Sequence, residues 1–130
     1  MRAEVLVVCL CLIIALGAAA LAAESPQPVS ADVLRAGGET FEKWCAPCHA
    51  AGTGHAGTMA LAARLGKEKS VLLERTDIAD AYVKTVVRYG FRMMPPFKTT
   101  EIADTDLDAL AAYVASGGGK RPLAATGPSP

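Results

Sequence analysis

The sequence predicts an all-α domain of four to five helices. Two patterns and one absence carry that prediction. Apolar residues recur at helical spacing before Cys45, after Asp77 and again before Ser116. Glycine and proline punctuate the chain where those stripes stop. No segment shows the period-2 alternation that a half-buried strand requires. The seven aromatics, Phe41, Trp44, Tyr82, Tyr89, Phe91, Phe97 and Tyr113, all fall between 41 and 113 and mark the folded part. The predicted domain runs over 30–116, with a leader at 24–29 and a flexible tail, Gly, Pro and small polar residues, at 117–130.

From Ser30 onward, Val33, Gly37, Phe41 and Trp44 lie on one helix face, and that helix ends at Cys45. "AAGTGHAGT" (50–58) carries three glycines and reads as a loop. "MALAARLG" and "SVLLERT" read as two short helices, the second capped by Ser70. Asp77 is predicted to open a better helix with the stripe Ala79, Tyr82, Val83 and Val86, stopped by Gly90. "FRMMPPF" cannot be helical across Pro95 and Pro96 and forms an extended strap. Thr105 or Asp106 caps the last helix, whose stripe is Leu107, Leu110, Ala111 and Val114 and whose end is "SGGG".

Residues 1–23 read as an export signal. Arg2 is followed by an uncharged run from Val5 to Ala23, and Ala20-Leu21-Ala22 offers the small-x-small pattern of a cleavage site near Ala22/Ala23. A retained anchor is the alternative, because the run is just long enough to span a bilayer. Cleavage removes Cys9 and Cys11 and leaves about 107 residues, one small domain. Its only cysteines are then Cys45 and Cys48, in the oxidising periplasm. The formal net charge is zero, so no basic stripe calls for nucleic acid and no polybasic segment calls for anionic lipid. With its signal cleaved, the chain has no membrane partner.

"KWCAPCHA" (43–50) supports three readings. W-C-x-P-C matches a thiol-disulfide oxidoreductase, but such a site needs a hydrophobic strand leading into it, and the approach here is charged and helical. A zinc site would need a fourth ligand beside Cys45, Cys48 and His49, for which only His55 is suited. C-x-x-C-H is the attachment motif of haem c: two thioethers form at Cys45 and Cys48, and His49 supplies the proximal nitrogen to iron. The all-α pattern and the export signal select this third reading. A large apolar cofactor also makes good a core thin in aromatics, since burial stabilises by roughly 25 cal/mol per Å².

The candidates for a sixth ligand are His55, Met59, Met93 and Met94. His55 lies too near His49 in sequence to cross to the opposite haem face and reads as an exposed loop residue. Met59 begins an amphipathic helix and reads as core. Met93 and Met94 sit in the proline-locked strap. Adjacent residues there point opposite ways, so one faces iron and the other faces solvent or a partner. His/Met ligation raises the reduction potential and closes the coordination sphere, which predicts an electron carrier and not a catalyst.

The spacing G-x-x-x-F-x-x-x-C-x-x-C-H (Gly37, Phe41, Cys45, Cys48, His49), the later Met94-Pro95 and a last helix carrying Tyr113 resemble the class I c-type cytochromes. That resemblance implies that Gly37 and Tyr113 mark a helix crossing and that Met94, directly before proline, binds iron with His49. "AYVKTVVRYGFRMMPPF" and "DTDLDALAAYVAS" look further like the haem subunits of flavin-dependent alkylphenol hydroxylases, over 37–49 and 80–116 but only weakly over 50–79. The implied partners are an FAD-containing dehydrogenase subunit and a soluble acceptor, either a small copper protein or another cytochrome. A free-standing carrier between another dehydrogenase and a terminal oxidase is the rival role. The family's usual Gly-Pro after the haem motif is missing, which predicts a looser loop behind His49. Arg88 and Arg92 either neutralise haem propionates or are solvated. Trp44 reads as core, and Phe91 and Phe97 either pack on porphyrin or form an apolar docking patch.

Overall fold

The computed structural model describes residues 28–121. The predicted signal (1–23), most of the leader and residues 122–130 of the predicted tail lie outside them. The described residues form five α-helices in order: α1 (Ala31–Trp44), α2 (Ala46–His49), α3 (Ala56–Leu65), α4 (Asp80–Tyr89) and α5 (Asp104–Ala115). Two 3₁₀ turns, Lys67–Lys69 and Leu72–Glu74, join α3 to α4. No strand occurs among the described residues; Phe91 and Met94 form one isolated bridge. The fold class is all-α, as the periodicity predicts.

Helix α1 starts where Ser30 Oγ accepts a hydrogen bond from the Val33 N–H at 3.3 Å, with Asp32 favourably placed at the positive end of the helix dipole. Its inner face carries Gly37 and Phe41 against α5. A methyl group on Gly37 would collide with the Ala109 carbonyl and with Tyr113 Cβ, so glycine is required here by close approach and not by backbone angle. One turn on, the Phe41 and Tyr113 rings pack at 5.9 Å. The crossing implied by the resemblance is therefore present. Phe41, Val83, Val87, Ile102, Leu107, Leu110, Ala111 and Val114 complete the core.

The predicted α5 stripe, Leu107, Leu110, Ala111 and Val114, is buried in full. Other expectations are corrected. The loop after the motif ends at His55, because Ala56–Thr58 form the first turn of α3. Ser70 caps no helix: its hydroxyl donates to the Lys67 carbonyl at 2.7 Å, closing the preceding turn, and "SVLLERT" forms only a 3₁₀ turn. Asp77 is drawn into pairs with Arg75 (2.8 Å) and Lys69 (2.9 Å), so α4 begins three residues later. Its buried face is Val83 and Val87, leaving Tyr82 half exposed. Helix α5 starts at Asp104 with Ala103 at the cap position and no side-chain cap, so the predicted caps, Thr105 and Asp106, lie inside its first turn.

The ordered chain also continues past Ser116, where the tail was expected to begin. Gly118 N–H donates to the Tyr113 carbonyl at 2.8 Å, and the Arg121 guanidinium reaches the carbonyls of Ala115 and Arg75. Residues 117–121 are therefore tied back to the helices where a free tail was expected.

Candidate haem-binding site

The C-x-x-C-H motif occupies one helical turn. Cys48 N–H and His49 N–H both donate to the Cys45 carbonyl, at 3.1 and 2.8 Å, and Ala50 N–H to Ala46 at 2.9 Å. Pro47 fits this turn because its missing donor falls among first-turn N–H groups that have no helical partner anyway. The spacing i, i+3, i+4 brings Cys45, Cys48 and His49 to one face. Both thiols are free, Cys45 half-buried and Cys48 exposed. Burial first, and the neighbouring Cys48 second, push the Cys45 thiol up to about 12, so it is protonated at neutral pH.

His49 is half-buried, and burial lowers the affinity of its ring for a proton. Its imidazole is therefore neutral near pH 7, the form a metal requires. Nδ1 is enclosed and has no hydrogen-bond partner. The enclosing surface is Gly57 in the first turn of α3: a methyl there would stand 2.5 Å from His49 Cε1, 2.7 Å from Nδ1 and 2.8 Å from the Cys48 carbonyl. Two side chains fasten this turn to the motif. Thr58 Oγ1 donates to the Ala50 carbonyl at 2.9 Å, and His55 Nδ1 lies 3.1 Å from the Pro47 carbonyl. The loop without Gly-Pro is thus held by polar ties. His55 is half-buried and bonded, not the exposed residue expected, and no three Cys, His, Asp or Glu side chains among the described residues converge as a metal cluster.

The strap follows α4 and touches the motif region through Phe97 and Trp44. Phe91 and Met94 exchange backbone hydrogen bonds of 3.1 and 3.0 Å, making a tight turn where a fully extended segment was expected. Phe97 N–H then donates to the Val87 carbonyl at 2.8 Å. Gly90 permits this return: its φ is +73°, and a methyl would stand 2.8 Å from the Met94 carbonyl. Met94 is half-buried against the core, whereas Met93 is 95 % exposed. Met59, expected in the core, is exposed, because α3 buries only Thr58.

Arg88 follows neither expected reading. Its guanidinium donates to the carbonyls of Phe97 (3.1 Å) and Ile102 (2.8 Å) and pairs with Asp104 (2.7 Å). It therefore latches the strap to the start of α5. Trp44, next to the first cysteine, packs edge-on against Phe97 at 5.7 Å and joins the motif to the strap. Trp44 is half-buried against the core and not inside it as expected, and Phe97 is its partner. Sequence reasoning missed Gly57, Thr58 and the Arg88 latch. Only the position of Arg88, six residues before Met94, hinted at a part in the strap.

The residues present fit haem c. Two thiols and a neutral imidazole share one face, the imidazole rests on a backbone that has no room for a β-carbon, and a thioether stands in a braced strap. This helical domain with its C-x-x-C-H turn defines a c-type cytochrome, an electron-transfer protein. The family described as "Cytochrome C oxidase, cbb3-type, subunit III" matches residues 32–114, and the chain belongs to it. It is also similar to the cytochrome c subunit of 4-cresol dehydrogenase [hydroxylating] from Pseudomonas putida, 30 % identical over 80 residues, which cover 62 % of this chain and 58 % of that one. The match thus spans less than two thirds of the relative's length. No solved structure matches the chain. No helix among the described residues is long and apolar enough to cross a membrane.

Proposed function

We propose that this chain is a periplasmic monohaem cytochrome c that accepts single electrons from an FAD-dependent 4-alkylphenol dehydrogenase and passes them to a soluble acceptor. Haem c, when bound, supplies a one-electron ferric/ferrous couple. Cys45 and Cys48 hold it through thioethers. His49 is the proximal ligand, and enclosure of Nδ1 by Gly57 leaves Nε2 for iron. Met94 would give the iron its second protein ligand, and Met93 is its solvent-facing neighbour. With His49 and Met94 both committed to iron, the chain would carry electrons and do no substrate chemistry of its own. Export by residues 1–23 places it in the periplasm.

The observation that carries the ligand set is the pairing of the C-x-x-C-H turn with a strap that turns Met94 toward the core, half-buried, and Met93 out to solvent. The flavoprotein partner is supported by the named relative, which is a subunit of a dehydrogenase.

The test is an optical spectrum of the protein purified from periplasm after co-expression with haem-maturation machinery. A covalent haem with the weak far-red band of Met–ferric iron is expected, and Met94→Ala should abolish the band while Met93→Ala retains it. Retention of the band in Met94→Ala overturns the ligand assignment. Co-purification decides the role: a subunit elutes with a flavoprotein, whereas a free carrier elutes alone.

A further inference from the structure

The described arginines divide sharply. Arg35 pairs with Glu39 at 3.0 Å, Arg75 with Asp77 and Arg88 with Asp104, while Arg121 is spent on backbone carbonyls. Arg64 and Arg92 have no acidic partner among the described residues. Both stand over the same ring: Arg64 lies 5.3 Å and Arg92 5.7 Å from the centre of Phe91, one from the end of α3 and one from the strap. Cation–π contact at an exposed site is weak and leaves the positive charge uncompensated.

Phe91 is itself exposed, and so are Tyr89 at 82 % and Met93 at 95 %. Large apolar side chains this exposed on neighbouring positions are uncommon on a monomer without a binding role. Arg92 adds a further sign, for it is the sole non-glycine described residue with positive φ, at +56°. The tight turn between Phe91 and Met94 imposes this backbone at its first central position. Here it sets a guanidinium beside an open aromatic ring.

We propose that Phe91 and Met93, bracketed by Arg64 and Arg92, form the docking face for an electron-transfer partner protein that presents carboxylates around an apolar centre. Charge complementarity identifies the partner's chemistry: two unpaired guanidiniums require anions, and the exposed ring between them, with the exposed thioether next in the strap, requires an apolar surface. Aromatic residues and arginine are the side chains enriched at the energetic centres of interfaces. The formal net charge of the whole chain is zero, so steering must come from a local feature such as this one. The face adjoins Met94 in the strap. Only the statement that electrons cross here rests on Met94 being an iron ligand.

The experiment uses the full haem-loaded chain, reduced and mixed by stopped flow with an acidic blue copper protein as the probe acceptor. At low ionic strength Arg64→Glu/Arg92→Glu should slow oxidation at least ~10-fold, the lower end of electrostatic steering. The difference should collapse at about 0.5 M salt, where the screening length is only a few ångströms. Lys98→Glu/Lys120→Glu, which changes net charge equally, should slow the reaction less than ~3-fold if the effect is local. Met93→Gln, at a position too exposed to affect folding, should slow it at high salt as well. Equal slowing by the two double variants would mean that net charge alone acts and overturns the proposal. So would no slowing, binding of the wild-type chain to phosphatidylglycerol vesicles that the arginine variant alone loses, or a wild-type dimer in sedimentation that the same variant dissociates. The far-red band, recorded on every variant, keeps the ligand reading separate: its absence from wild type would sink Met94 ligation and leave the rate comparison intact.

Discussion

Residues 56–79 and residues 80–116 both brace the C-x-x-C-H turn, but they bury different amounts. The first segment buries only Thr58, Ser70 and Ile78 and leaves Met59 and Leu65 exposed. It holds His49 with a glycine surface and one side-chain-to-backbone bond, from Thr58, and ties its own turns together with the ion pairs of Asp77. The second buries most of the core and holds the strap with backbone hydrogen bonds and the Arg88 latch. The difference shows two ways to position a ligand. A glycine surface works by exclusion and tolerates a thin support, provided nothing larger is put there. A latch works by satisfying buried acceptors, and it fails when the donor is removed.

The sharpest break of that contrast is Arg88→Ala. It strips the donor from the Phe97 and Ile102 carbonyls, and with unsatisfied groups costing about 1–3 kcal/mol each, a loss of ~3 kcal/mol is expected in urea unfolding. The far-red band should weaken with it. Arg88→Lys retains the charge without the planar fork and should recover only part of the loss. A loss below 1 kcal/mol would mean the strap holds itself.

Gly57→Ala probes the other side, where two effects compete. Alanine in a helix is favoured over glycine by about 1 kcal/mol, while crowding of a packed site costs about 1–3 kcal/mol. With His49 at 2.5 Å, crowding should win by ~1 kcal/mol, and the reduction potential should move as the imidazole tilts. A gain in thermal stability with an unchanged potential would show that Gly57 is no support. Thr58→Val removes a single hydrogen bond in a shape-conserving way and should cost about 1 kcal/mol in the same urea assay.

The smallest effect belongs to Asp77. Hydrogen bonds from Arg75 first and Lys69 second hold its carboxyl well below the usual carboxylate range. A depressed folded-state value means the stabilisation is complete above about pH 4 and is lost as pH falls below it. Asp77 is largely solvated, so Asp77→Asn should lower the melting temperature at pH 7 by only about 2 °C, with the gap narrowing below about pH 4 and closing only as pH falls through the depressed folded-state value, well below pH 3. A gap that does not narrow at all between pH 7 and pH 2 would assign the loss to something other than charge.

Much of this was legible because periodicity reports burial. The stripe of α5 is buried as read, and Gly37 and Phe41 face the core as the α1 pattern requires. The α4 stripe was misplaced by one position, since Val86 and Val87 both satisfy helical spacing from Val83 and only the packing against α5 chooses Val87. The C-x-x-C-H turn and the proline-fixed strap were legible because their chemistry is local. Gly57 and Arg88 were not. A glycine reads alike whether it serves a backbone angle or a close approach, and an arginine that bonds carbonyls nine and fourteen residues away has no local signature. Asp77 misled because a capping acid and a salt-bridging acid look the same before folding.

The contact of Gly37 with Ala109 and Tyr113 also sets an order of events. It joins the first helix to the last across roughly 70 residues, and a closure of that span carries a large entropic cost and is slow compared with local helix formation. The turn bearing Cys45 and Cys48 needs only residues close to it in sequence. Its neighbours are α1 and α3, close to it in sequence, and not the late-arriving α5. Topology here acts as a clock, setting the local turn that carries the thiols apart from the long-range closure of the domain.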